Sequence, residues 1–220
     1  MARQARSEAT RRRILAAAVE LFTESGYAAT GLGDIIERAA LTKGALYYHF
    51  DSKEALATAL IHDASAAVFE AVDGIGGSSA PALENLIHVS FVIGDLVSSD
   101  PMVRTGSQLM RALGEFNDLA VRIYLSLGES ITALARTAAA QGDLRTGVDA
   151  DAVGELFVST YLGTELLSIG TSGGQDMAAR LARGWCVLLP AIATDDGLPY
   201  FREFVHRESG RRGRHSTAPH

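Results

Sequence analysis

Apolar residues recur at three- and four-residue intervals along almost the whole chain of 220 residues, and nowhere is there a sustained alternation of apolar with polar positions. Such a pattern restricts the chain to helices packed on helices, an all-α fold. Gly, Pro and capping residues then place the elements. A first helix is expected from about Glu8 to Ser25, ended by Gly26, followed by short helices over Leu32 to Ala40 and Lys43 to Phe50. Asp51 and Glu54 have capping-box spacing and open a long helix from about Ser52 to Val72. DGIGGSS at 73–79 reads as a flexible break, and further helices are expected at about 81–98, 101–113, 118–141, 149–169, 176–193 and 198–207. The tail SGRRGRHSTAPH is polar and basic and reads as disordered.

Composition excludes several classes. With 47% hydrophobic residues the chain can form a core without a staple, and the single Cys186, in the apolar run WCVLL, leaves neither an internal disulfide framework nor a CxxC metal or redox pair. Cys186 reads as a small buried hydrophobe. The basic start and the apolar run ILAAAVELF imitate a secretory leader, but Glu20 interrupts the run and the spacing of Ile14, Leu15, Ala18, Leu21 and Phe22 is that of an amphipathic helix. No stretch is continuously apolar for the length of a bilayer, so a cytoplasmic protein without a membrane partner is expected. There is no GxSxG elbow, HExxH or Gly-rich phosphate loop, and the 6 histidines are scattered, so no catalytic residue, metal ligand or cofactor is assigned and an enzyme is not expected.

The net charge of −6 hides an asymmetry. Residues 1–60 carry 8 Lys/Arg against 7 Asp/Glu, residues 61–205 carry 8 against 18, and residues 206–220 carry 4 against 1. Arg3, Arg6, Arg11, Arg12 and Arg13 cluster at the start, as a solvated N-terminus or as a module for nucleic acid.

Three short helices in the first 50 residues, the last two joined by a tight turn, form a helix-turn-helix pattern. In LTKGALYYHFDSKEAL, at 41–56, Leu46 and Phe50 are four apart and point into a small core. Thr42 is placed to cap the third helix and meet a phosphate, and Lys43 supplies a cation. Gly44 and Ala45 permit close approach to base edges, and Tyr47, Tyr48 and His49 offer polar tips on rigid rings. Lys53 adds charge at the start of the next helix. A core alone explains Leu46 and Phe50 but not this interleaving of cations, rings and small residues, and neither does a helical protein-interaction adaptor.

The stretch TRRRILAAAVELFTESGYAATGLGDIIERAALTKGALYYHFDSKEAL resembles the DNA-binding domain of the TetR family of transcriptional regulators. The resemblance implies a homodimeric, cytoplasmic, nucleoid-associated repressor whose third helix enters the major groove of a pseudopalindromic double-stranded operator and whose C-terminal helical bundle binds a small-molecule effector. It divides the chain into a head at 1–55, a ligand-binding and dimerisation domain at 56–207 and a tail at 208–220. It casts Thr42, Lys43, Gly44, Ala45, Tyr47, Tyr48, His49 and Lys53 as DNA contacts, with Thr30 beside them because Gly31 stands where the family usually has Thr or Ser. Ala40 stands in the turn where Gly is common. MARQARSEATR, SSDPMVRTGSQLM and RGWCVLLPAIA are similar to the γ-butyrolactone receptors of actinomycetes, which implies a γ-butyrolactone, butenolide or furan-type signal controlling secondary metabolism. The alternative effector is an antibiotic or other apolar metabolite.

Polar residues dotted through the apolar helices suit an effector cavity. Tyr124, Thr160, Thr164, Gln108, His88 and Trp185 are the candidates. Thr160 and Thr164 either face such a cavity or bond back to the preceding turn; His88 and Gln108 either serve it or are ordinary half-exposed helix residues; and Arg104 either forms an ion pair or meets a ligand carbonyl. Trp185 is the sole tryptophan, and Tyr124 stands on the long helix where many such receptors carry one. Leu162, Leu166, Trp185, Cys186, Val187, Leu188 and Leu189 exceed what one buried face needs, so the last two long helices are expected to pair with their symmetry mates.

Overall fold

The structure, a computed structural model, describes residues 2–114 and 117–213, with the side chains at 2, 3 and 213 excepted. Ten helices account for nearly all of it: α1 Ala2–Ser25, α2 Leu32–Arg38, α3 Lys43–His49, α4 Lys53–Gly76, α5 Ala82–Ser99, α6 Pro101–Leu113, α7 Asp118–Gln141, α8 Ala150–Ser172, α9 Met177–Ile192 and α10 Leu198–Gly213. The described residues contain no strand, only an isolated antiparallel bridge between Leu144 and Ala193.

Two compact units emerge: Met1–Ala67 with Asp100–Arg122, and Val68–Ser99 with Ile123–His220. α4 begins in the first and ends in the second. It is long and apolar enough to cross a bilayer by length and composition. Its Leu56, Ala57, Leu60, Ile61, Ala64 and Val72 are instead buried in the protein. In the first unit α6 packs on α1. Gly106 makes the close approach to α4 possible, since a Cβ there would lie 2.2 Å from the Ala64 Cβ. The sequence placed α6 beyond the head, because its strongly amphipathic pattern does not say which partner it covers.

Several starts and ends differ from the expectation, and α8 runs to Ser172 rather than stopping at 169. α1 begins at Ala2 rather than Glu8, and α4 continues through Gly76 rather than stopping before DGIGGSS. The cap of α4 is Ser52, whose Oγ accepts the Ala55 N–H at 3.0 Å, and not Asp51 with Glu54. α10 continues into the segment expected to be disordered, as far as Gly213, while 214–220 lie outside the described residues.

The reason α10 persists is a buried acid. Glu208, 1% exposed, accepts from Arg212 at 2.8 Å and Arg211 at 3.0 Å on its own helix and pairs with His88 Nδ1 of α5 at 2.7 Å. Arg212 also reaches Asp95 at 2.7 Å and lies over the Phe91 ring. Burial alone would raise the Glu208 pKa, but the hydrogen bonds from His88 and Arg212 and their positive charges outweigh it and hold the carboxyl at about 2. At the α8–α9 turn Ser168 and Ser172 donate to Asp176 Oδ1 at 2.6 and 2.7 Å, and Arg180 bonds its other oxygen at 2.6 Å.

Because the folded-state pKa of Glu208 is depressed, its stabilisation is complete above the ordinary carboxylate pKa of 4.5 and is lost as pH falls from there towards 2. Glu208→Ala removes the acceptor that Arg211, Arg212 and His88 share. We predict that it costs about 3–5 kcal/mol at neutral pH, and that urea denaturation of the variant loses much of the parent's pH dependence below 4.5.

Candidate DNA-binding head and effector chamber

The head is assembled around α1. Ile14, Leu15, Ala18 and Phe22 of α1, Leu46 of α3 and Phe50 at its end are buried, as their spacing anticipates, and so are Ile35 of α2 and Ala39 at its end. Gly26, at φ +81, ends α1. α2 opens on Gly31, whose main-chain N–H donates to Asp34 Oδ2 at 2.8 Å. It closes in a Schellman arrangement, with Ala40 N–H on Glu37 O at 2.9 Å and Leu41 N–H on Ile36 O at 3.1 Å. That closure requires Ala40 to adopt φ +49, the left-handed region. The three-residue turn ends at Thr42, whose Oγ1 accepts the Ala45 N–H at 3.2 Å and caps α3.

With Leu46 and Phe50 turned inward, α3 presents the rest to solvent. Thr42, Lys43, Gly44, Tyr47 and Tyr48 are exposed, Tyr48 to 73%, and Ala45 and His49 are half-buried. Nothing lies within 4 Å of a Cβ built on Gly44, so the helix surface there is open backbone. Lys43 Nζ sits 5.7 Å from the Tyr47 ring and the His49 ring meets Tyr48 edge-on at 5.0 Å, which orients both tyrosines without burying them.

Two expected DNA contacts are placed otherwise. Thr30 is 3% exposed and donates to Gly26 O at 2.9 Å, because its hydroxyl serves the α1–α2 turn once Gly31 has taken the cap position. Lys53 is half-buried, with Nζ 2.8 Å from Tyr27 O, 2.9 Å from Thr30 O and 4.4 Å from the centre of the Tyr27 ring. It clamps the α1–α2 loop instead of projecting into solvent, since carbonyls crowded at a turn compete well for an ammonium. Burial, with the Glu54 charge, raises the Tyr27 phenol pKa, so that ring stays neutral beneath the lysine.

The basic start divides similarly. Arg11 pairs with Asp63 at 3.0 Å, and Arg13 Nη2 donates to Ala39 O at 2.6 Å, at the end of α2. Arg6 and Arg12 are exposed. The Arg3 side chain lies outside the described residues. The roles of Arg13 and Lys53 as main-chain clamps carry no sequence signal beyond their charge.

In the second unit, α5, α8 and α9 enclose a small chamber lined by Ser90, Phe157, Thr160, Tyr161, Thr164, Leu181, Gly184, Trp185 and Leu188. Trp185 Nε1 donates to Ser90 Oγ at 2.9 Å, and Ser90 in turn donates to Ile87 O at 2.6 Å. Thr160, Thr164 and Trp185 are thus brought together, and no back-bond from either threonine is present among the described residues. The free volume is about 20 Å³, room for a water-sized group. Ser90, the one polar side chain contributed by α5, was missed; a serine in an otherwise apolar helix run was its only signal.

The other three candidates lie elsewhere. Tyr124 lines a separate open groove between α7 and α8 with Glu129, Arg136, Asp151 and Glu155. His88 is engaged with Glu208, and Gln108 sits half-buried on α6, in the first unit. Along α8 and α9, Leu156, Leu166, Leu167 and Val187 stand exposed at 45%, 56%, 54% and 76%, whereas Trp185 and Leu189 are buried within the protomer.

Residues 14–60 match the bacterial regulatory proteins of the tetR family, and residues 80–193, over half the chain, match the tetracyclin repressor-like C-terminal domain. The chain belongs to the TetR family. It is similar to the A-factor receptor protein of Streptomyces griseus, 29% identical over 202 residues covering 88% of this chain and 67% of that one. A crystal structure of a gamma-butyrolactone receptor, an ArpA-like protein, superposes with TM-score 0.79 at 26% identity over 94% of this chain and 99% of that one. CprB from Streptomyces coelicolor, in complex with its biological operator sequence, superposes with TM-score 0.77 at 28% identity over 94% of this chain and 99% of that one. This TetR-family regulator therefore carries a helix-turn-helix head, in which α3 is the third helix, followed by a C-terminal helical domain that includes α8 and α9.

Ala40→Gly relieves the left-handed strain at φ +49 and is expected to raise stability by about 0.5–1 kcal/mol in urea titrations. Lys43→Gln should make the slope of log affinity against log salt shallower by roughly 1.8 for the two subunits. Lys53→Gln should leave the slope unchanged and cost about 1.5–3 kcal/mol of stability; the reverse result would return Lys53 to the phosphate contacts.

Proposed function

We propose that this regulator is a repressor that holds a pseudopalindromic operator with Thr42, Lys43, Gly44, Ala45, Tyr47, Tyr48 and His49 of each α3, acting in the cytoplasm on nucleoid DNA. The head function belongs to 1–55, and effector binding with dimerisation to 56–207. Two-fold symmetry would set the α3 helices about 34–36 Å apart, in successive major grooves. The observation that carries this reading is the solvent face of α3, where open backbone at Gly44 lies between a cation and two exposed tyrosines.

The effector is a neutral, mostly apolar molecule of the γ-butyrolactone, butenolide or furan type, bound in the Trp185 chamber. Its lining contains no charged side chain, only hydroxyls, aromatic rings, two leucines and a glycine, which suits a lactone carbonyl with an alkyl chain. Similarity to receptors named for A-factor and gamma-butyrolactones supports the same class. With about 20 Å³ free, a ligand of that size enters only if Trp185 or the α8–α9 packing yields. Binding therefore selects an opened bundle, and a ligand with that preference releases DNA if the opened form cannot keep the half-site spacing.

Operator retardation with release by alkyl γ-butyrolactones tests the reading. Tyr48→Ala is expected to weaken DNA binding roughly 10- to 100-fold with unchanged lactone affinity. Thr160→Val should keep operator affinity and weaken the lactone about five-fold. The same lactone should shift the emission of Trp185, the sole tryptophan. A lactone that releases DNA from Thr160→Val as from the parent, with no change in emission, would move the effector site to the Tyr124 groove.

A further inference from the structure

The first three turns of α1 are unlike the rest of the molecule. Residues 2–13, ARQARSEATRRR, form continuous helix with α1 yet precede the family match that begins at residue 14. None of residues 4–13 is buried, and Gln4, Ala5, Arg6, Glu8, Ala9, Arg12 and Arg13 are exposed. The segment has no apolar face, so no packing within the protomer explains it. It holds five arginines against one acid in a chain whose net charge is −6.

The structure separates these arginines by occupation. Arg11 is held by Asp63 and the Phe50 ring, and Arg13 by the carbonyls that end α2. Arg6 and Arg12 are exposed, and neither guanidinium has a hydrogen bond or ion pair among the described residues. Arg13 fixes the placement, because its bond to Ala39 O sets α1 beside the turn that leads into Thr42 and Lys43. Arg6 precedes Arg13 by seven residues, about 10 Å along the helix and close to the same side.

We infer that the lead-in of α1 is a second DNA-contacting element, in which Arg6 and Arg12 bind backbone phosphates flanking the bases met by α3. The inference rests on α3 as the DNA-contacting helix. Phosphate is the favoured partner because a polyanion complements an unpaired arginine pair on a surface with no apolar anchor, where a protein partner would need one. Contacts of this kind add affinity without sequence preference and extend the footprint beyond the major-groove site.

The test compares full-length Arg6→Gln/Arg12→Gln with Arg202→Gln/Arg207→Gln, which removes equal charge from α10. Fluorescence anisotropy follows binding to a mixed-sequence duplex of about 30 base pairs over a salt series. Loss of four contacts per dimer is expected to make the log–log slope shallower by roughly 3.6, with the α10 variant like the parent and both variants folded by circular dichroism. Equal slopes for the two variants would overturn the inference. A parallel series on Lys43→Gln keeps the outcomes apart: if that slope also matches the parent, it is the α3 reading that fails.

Discussion

The DNA-binding head depends on two cations that bond main-chain carbonyls. Arg13 reaches the end of α2, and Lys53 reaches across to the carbonyls of Tyr27 and Thr30. A three-helix unit of this size has a small core, and its loops contribute backbone acceptors that no helix ladder satisfies. The two side chains supply those acceptors with charge-assisted donors and fix the angles at which α2 and α3 leave their turns. The solvent face of α3 is a consequence of that fixing. It is presented because Leu46 and Phe50 are anchored below and because the turn before Thr42 closes with Ala40 in the left-handed region.

Much of this was legible in the sequence, and the parts that were not share a cause. Helical periodicity and the Gly, Pro and Thr punctuation located α2, α3, α6 and α7 closely, since local preference and burial agree there. Leu46, Phe50 and the exposed Tyr48 followed from a four-residue spacing. Lys53 and Thr30 did not, because a lysine facing a phosphate and a lysine facing a loop carbonyl are the same letter. Likewise the pattern of α6 announces one apolar face but not that Gly106 would press it against α4. α10 beyond residue 207 was hidden because its stability comes from Glu208, an acid whose partner His88 lies 120 residues away in sequence.

The effector half shows the same division between type and placement. Thr160 and Thr164, four apart on α8, meet Trp185 and Ser90 as the wall of one chamber; the sequence supplied the threonines and the tryptophan as candidates but not their juxtaposition, and not Ser90. The chamber is nearly filled by its own side chains. A bundle packed this closely does not deform gradually, so a ligand must select a different packing of α8 and α9, which also carry the exposed leucines and Val187. In the proposed reading, effector binding and the subunit contact act on the same two helices.

Footprinting of the purified protein on fragmented genomic DNA, with and without an alkyl γ-butyrolactone, tests whether α3 reads an operator that an effector in the C-terminal bundle releases. Enrichment of fragments sharing a pseudopalindrome whose half-sites are about one helical turn apart is expected, with loss of protection when the lactone is added. Enrichment of no common sequence, or protection that every such lactone leaves intact, would contradict it.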